Sequence, residues 1–154
     1  MSDTIDNRRG EPIARTDVRA RVSVQAPGVI LIRELPESTG AIYGAMVERA
    51  RELGEEFGNY ATVVDLAEAT VRPDRDMMDI LMRTTKSMGC HWAIVEAKSM
   101  MMRVVLQFVG GRLGVMPHVS FHASLEEAVA AASEAVEQAG GATRSQSVSE
   151  GGEL

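Results

Sequence analysis

Two arginines and an aspartate within six residues, Thr70-Val71-Arg72-Pro73-Asp74-Arg75, form the stretch of this sequence best suited to meeting an anion. It follows an apolar run ending in Asp65-Leu66 and leads into an amphipathic segment, so it reads as a loop between a buried strand and a helix N-terminus. Exposed N–H groups at a helix start and two guanidinium forks suit a carboxylate, a phosphate or an acidic protein surface. In open α/β sheets, ligands gather at this place, beyond the carboxyl ends of the strands. A plainer reading of the same residues pairs Arg72 and Arg75 with Asp74, Asp76 or Glu68 on a solvated face. Asp65 has two readings as well: it accepts N–H groups of the loop that follows, the commoner role there, or it serves as a charged contact.

Methionine is the next unusual feature, with ten in the chain. Met77, Met78, Met82, Met88, Met100, Met101 and Met102 fall in helical stretches, where thioethers fill cores or line adaptable grooves. Helical spacing spreads three consecutive side chains around the axis, so at least one of Met100, Met101 and Met102 must face a groove, an interface or solvent. Met78 and Met101 are the nominated lining residues, for a small apolar ligand or a homodimer contact. His118 and His122 share one face of a short strand, but no third ligand stands in register with them, so these residues and His91 are expected as strand-end histidines with backbone partners. Cys90 is the only cysteine, which excludes an internal disulfide; it reads as a small buried group, with His91 turned to the opposite face. Gly110-Gly111-Arg112-Leu113-Gly114 follows a helix and lacks the Lys-Ser/Thr of a phosphate loop. No catalytic residue, metal ligand or cofactor is nominated.

Positioning these residues falls to alternating strands and helices. Ala20, Val22, Val24 and Ala26 alternate with polar residues, Pro27-Gly28 turns the chain, and Val29-Ile30-Leu31-Ile32 runs apolar throughout, which together predict a hairpin with a fully buried second strand. Ser38 or Thr39 caps a helix whose inner stripe is Ile42, Met46, Val47, Ala50, Leu53 and Phe57, stopped by Gly58-Asn59. Further strands follow at Tyr60–Leu66, Cys90–Ala97 and His118–His122. Helices are expected from about Asp74 to Met88, from Ser99 through Phe108, and after a Ser124/Glu127 capping box, the last burying Leu125, Ala128, Val129, Ala132 and Val136. Strands joined by single helices pair in parallel. The fold class is therefore α/β: a single mixed, mainly parallel sheet of about five strands with an N-terminal hairpin, covered by four helices. Residues 1–18 and 139–154 carry no apolar period and are expected as flexible tails flanking one domain over 19–138.

With 45% hydrophobic and 25% charged residues, the 154-residue chain has the composition of a globular domain. A formal charge of −6 disfavours nucleic acid and anionic lipid as partners. Charges throughout the first thirty residues and the want of long apolar runs argue against a signal peptide and membrane insertion, and the lone cysteine fits a cytoplasmic protein.

Val63-Val64-Asp65-Leu66 with Ala67-Glu68-Ala69-Thr70, and Val119-Ser120-Phe121 before Leu125-Glu126-Glu127-Ala128, resemble the STAS domains, named for sulphate transporters and anti-sigma-factor antagonists, and more closely the SpoIIAA-like proteins. The likeness spans about Arg19 to Gln138 and rests on short hydrophobic motifs. It implies a non-enzymatic regulatory or scaffold domain working through protein–protein contacts near residues 70–75 and the following helix. Antagonists of that family are switched by phosphorylation of a Ser in an Asp-Ser pair at the start of the second helix. Here that place falls on Pro73-Asp74 or Asp74-Arg75, which offers no hydroxyl, and an aspartate imitates the phosphoserine charge only in part.

Overall fold

Runs of β-branched residues bounded by turn formers become the inner strands of a sheet that is buried on both faces. In the computed structural model, which describes residues 3–69, 75–84, 89–95 and 118–151, five strands line up in chain order. They are β3 (Val22–Ala26), β4 (Val29–Arg33), β5 (Ala61–Asp65), β6 (Trp92–Val95) and β7 (Val119–His122). β3 and β4 form the antiparallel hairpin, with Gly28 at φ +75° in its turn, and each later neighbour pairs in parallel. The crossovers include α2 (Gly40–Glu55) and α3 (Arg75–Thr84), and α4 (Leu125–Gly151) follows β7. The α/β architecture expected from the sequence is the one the chain adopts; the helix expected from Ser99 through Phe108 lies outside the described residues.

Alternation divides the apolar residues between two faces. Ile30, Ile32, Val64, Trp92 and Ile94 meet Ile42, Tyr43, Met46, Val47 and Ala50 of α2 and Met77 of α3 on the first. Val29, Leu31, Ala61, Val63, Ala93 and Val95 lie under Ala128 and Ala132 of α4 on the second. The caps are as expected: Thr39 Oγ1 accepts the Ile42 N–H at 3.2 Å, and Ser124 Oγ accepts the Glu127 N–H at 3.2 Å. α2 and α3 approach so closely that a Cβ on Gly40 would sit 2.6 Å from Cβ of Asp76.

Four features depart from the sequence expectations. Residues 1–18, expected as a tail, contain an antiparallel hairpin of β1 (Thr4–Asp6) and β2 (Pro12–Ala14), followed by the short helix α1 (Arg15–Arg19). Ile5 and Val18 are buried in the first-face core and Ile13 packs against it, but strands of three residues are too short to display a period. α4 continues past Gln138, where the second tail is expected, because Gly140 costs a helix about 1 kcal/mol without ending it unless it turns left-handed. Val24 is exposed on the edge strand, and a register shift between Val24 and Ala26 turns Ala26 to the second face. Phe57 is exposed beyond the end of α2, and Tyr43 takes a place in the buried stripe.

Candidate functional site

β4 and β5 are parallel neighbours, so the loops that leave them lie on one edge of the sheet. The pairing continues one step past the strands, with the Glu34 N–H donating to the Asp65 carbonyl at 3.0 Å. Asp65 then shapes the loop ahead of it: its Oδ1 accepts the Ala67 N–H at 2.9 Å, and the Ala69 N–H reaches the Leu66 carbonyl at 3.0 Å. Of the two roles open to this carboxylate, the geometry displays the organising one.

Glu68 is paired with Arg21 and Arg33. Arg21 donates to it, and Arg33 stands 3.5 Å away. The Arg21 hydrogen bond, followed by the Arg21 charge, holds the Glu68 carboxyl below the ordinary carboxylate range. Arg21 also donates from Nε to the Arg33 carbonyl and from Nη2 to the Glu34 carbonyl, each at 3.0 Å, and so fastens the end of β4. Arg75 is exposed in the first turn of α3, and Met78 is half-buried against the core. Thr70, Arg72, Asp74 and Met101, the other nominated residues, lie outside the described residues.

The sequence reading missed the acid at the centre of this edge. Glu34 is only 3% exposed. Burial pushes its carboxyl above the ordinary range, opposed by hydrogen bonding to the Ser38 side chain, the Leu35 N–H at 3.0 Å, and the charges of Arg21 and Arg8. Beside it the Tyr43 hydroxyl is buried without a hydrogen-bond partner among the described residues, and burial, then the Glu34 charge, raise its pKa far above that of an exposed phenol. The overlooked signal is a period of two: Ile30, Ile32 and Glu34 share one parity, so the strand that buries the isoleucines aims Glu34 at the same core.

The N-terminal hairpin crosses this edge. The Arg8 N–H donates to the Glu37 carbonyl at 3.0 Å, Arg8 Nε to the Ser38 carbonyl at 2.9 Å, and Arg8 Nη2 contacts Met77 Sδ at 3.4 Å. Glu37 has φ +56°, the left-handed position that follows the proline of a tight turn. Its carboxylate also meets Arg9 at 3.5 Å.

A second polar group lies on the α4 face. His91 Nε2 is 2.8 Å from Ser120 Oγ, which is 2.6 Å from His122 Nε2. These rings have a side-chain partner in place of the backbone partners expected. Among the described residues, no three His, Cys, Asp or Glu side chains are placed to hold a metal ion. Cys90 packs against the same second-face cluster rather than opposite His91, because both residues precede β6 and strand alternation does not reach them. Burial raises the Cys90 thiol above its ordinary pKa, which disfavours the thiolate. No helix among the described residues is long and apolar enough to cross a membrane. Neither a scan against protein-family models nor a search among curated proteins finds a match to this chain.

Proposed function

We propose that this chain is a non-enzymatic regulatory or scaffold domain of STAS type that recognises a protein partner at the carboxyl edge of its sheet, through the Thr70 to Arg75 loop and α3. The observation that carries this reading is the commitment of the acids along that edge. Asp65 is bound to the Ala67 N–H, Glu68 to Arg21 and Arg33, and Glu34 to Ser38 and the Leu35 N–H. Carboxylates so engaged hold a loop in one shape, which favours recognition, where contacts gain from a surface already organised. Proton transfer would ask instead for an acid within reach of a substrate. Arg75 stands exposed beside this edge and supplies charge for an acidic partner surface. The STAS assignment rests on the motif around Val63 to Thr70 and the order of elements. With no hydroxyl at Pro73-Asp74-Arg75, recognition proceeds without that family's phosphoserine switch. Reversing both charges, Arg72→Glu with Arg75→Glu, is expected to abolish co-purification of the partner while the circular dichroism spectrum is unchanged; retention of every partner would sink the reading.

A second reading, a carrier of a small amphipathic ligand, has one observation in its favour. Among the described residues, the Tyr43 hydroxyl and the Trp92 indole N–H are both buried without partners in the core that Met77 and Met78 join. A ligand with an apolar body and a polar group would satisfy such atoms. Native mass spectrometry of gently purified protein then shows added mass, and a bare-chain spectrum across several expression conditions counts against a carrier.

A further inference from the structure

His91 and His122 meet on the second face of the sheet, with the exposed His118 near them. His91 and His122 sit on either side of the Ser120 hydroxyl, and His118 is close enough to repel a proton on His91. The strand register explains the meeting. Ser120 pairs with Ala93 and His122 with Val95, so the β7 side chains stand beside β6 just where the ring of His91 reaches across.

A hydroxyl has one proton and two lone pairs. With both rings neutral, Ser120 donates to one Nε2 and accepts from the Nε2–H of the other, so each group has its partner. One added proton is accommodated, since the ring already donating to Oγ takes it on Nδ1. A second proton makes both Nε2 atoms donors, takes from the hydroxyl hydrogen its acceptor, and sets two like charges on either side of one oxygen. Among the described residues, little nearby offsets that charge, since Glu126 and Glu127 at the start of α4 are exposed. β7 supplies His118 and His122, Cys90 precedes β6, β5 presents Ala61 and Val63 to this face, and α4 covers it with Leu125, Ala128, Val129 and Ala132. Burial, then the His122 and His118 charges, lower the pKa of His91.

We propose that the row His91, Ser120 and His122 is an acid-sensitive latch that fastens edge strand β7 and the adjoining start of α4 to the sheet at neutral pH and loosens them on acidification. Among the described residues β7 has a single strand neighbour, so the side-chain row supplements the backbone ladder to β6. The sign follows from linkage. The folded His91 binds a proton less readily than the unfolded one, so its contribution is present above the ordinary imidazole value of about 6.5 and is lost as pH falls through its lowered value.

The experiment is thermal unfolding of the full chain at pH 7.5 and 5.5, with His91→Gln as the variant that keeps hydrogen-bonding capacity and loses the charge. The wild-type chain is expected to lose about 2–4 °C more in Tm than the variant over that interval. Equal losses overturn the latch. A second measurement stands whether or not the variant folds: NMR titration of the histidine rings in the wild-type chain. One ring is expected to titrate below the ordinary range and to move up in Ser120→Ala; three rings titrating at the ordinary value overturn the latch as well.

Discussion

Among the described residues, the two faces of the sheet are covered by different means. The first is filled by bulk, with Ile30, Ile32, Ile42, Met46, Tyr43 and Trp92 interlocked beneath two helices. The second is filled by proximity, since Ala128 and Ala132 bring one helix close to Ala61, Val63 and Ala93. Polar groups follow the same division. The first face encloses a carboxyl and a phenol deep in apolar surroundings, whereas the second keeps His91 and His122 half-buried beside the edge strand. A face built of large side chains loses most when one is cut away; a face built of small ones loses most when one is enlarged.

That contrast breaks most visibly at Ile32. Ile32→Ala leaves a cavity among residues that are themselves fully buried, and a loss of about 3–4 kcal/mol is expected in urea unfolding. A loss below about 1 kcal/mol would mean that the first face collapses freely and is not held by bulk. On the second face, Ala132→Leu is expected to cost about 2 kcal/mol by pushing α4 off the strands. An unchanged unfolding midpoint would show that the helix rides loosely there.

The smallest effect, and the most specific, concerns Glu34. The folded chain keeps its proton at a pH where the unfolded chain has lost it. Its contribution is therefore complete below the ordinary value near 4.5 and declines as pH rises through the raised one. Glu34→Gln removes this decline, so the variant is expected to gain on the wild-type chain by up to about 1 kcal/mol between pH 4.5 and 7.5, read from urea midpoints. A difference that does not change with pH would place the carboxyl in a solvated setting.

Long regular patterns were legible in the sequence. Val29–Ile32 and Ala61–Asp65 announced buried parallel strands, and Thr39 and Ser124 announced helix starts, because each signal is complete within a few residues. Arg8 was not legible, since nothing near it in the chain indicates that its partners are Ser38 and Met77. The meeting of His91 with Ser120 was hidden for the same reason: it depends on a strand register fixed by the whole sheet. Glu34 was legible and passed over, because a charged residue after an apolar run looks like the strand's end even where its parity points inward. At the candidate edge, the role of Asp65 came from a local turn, while the partners of Glu68 came from β4 and from the residue just before β3.

Arg8 and Met77 are separated by 69 positions along the chain. Joining them closes a loop that includes β3, β4, α2 and β5, and closure over such a span gains little until those elements stand in place. The clasp is thus a late event in folding and an early one in local opening, ahead of the inner strands. The carboxyl edge is therefore the part of the sheet that closes last, after its inner strands have paired.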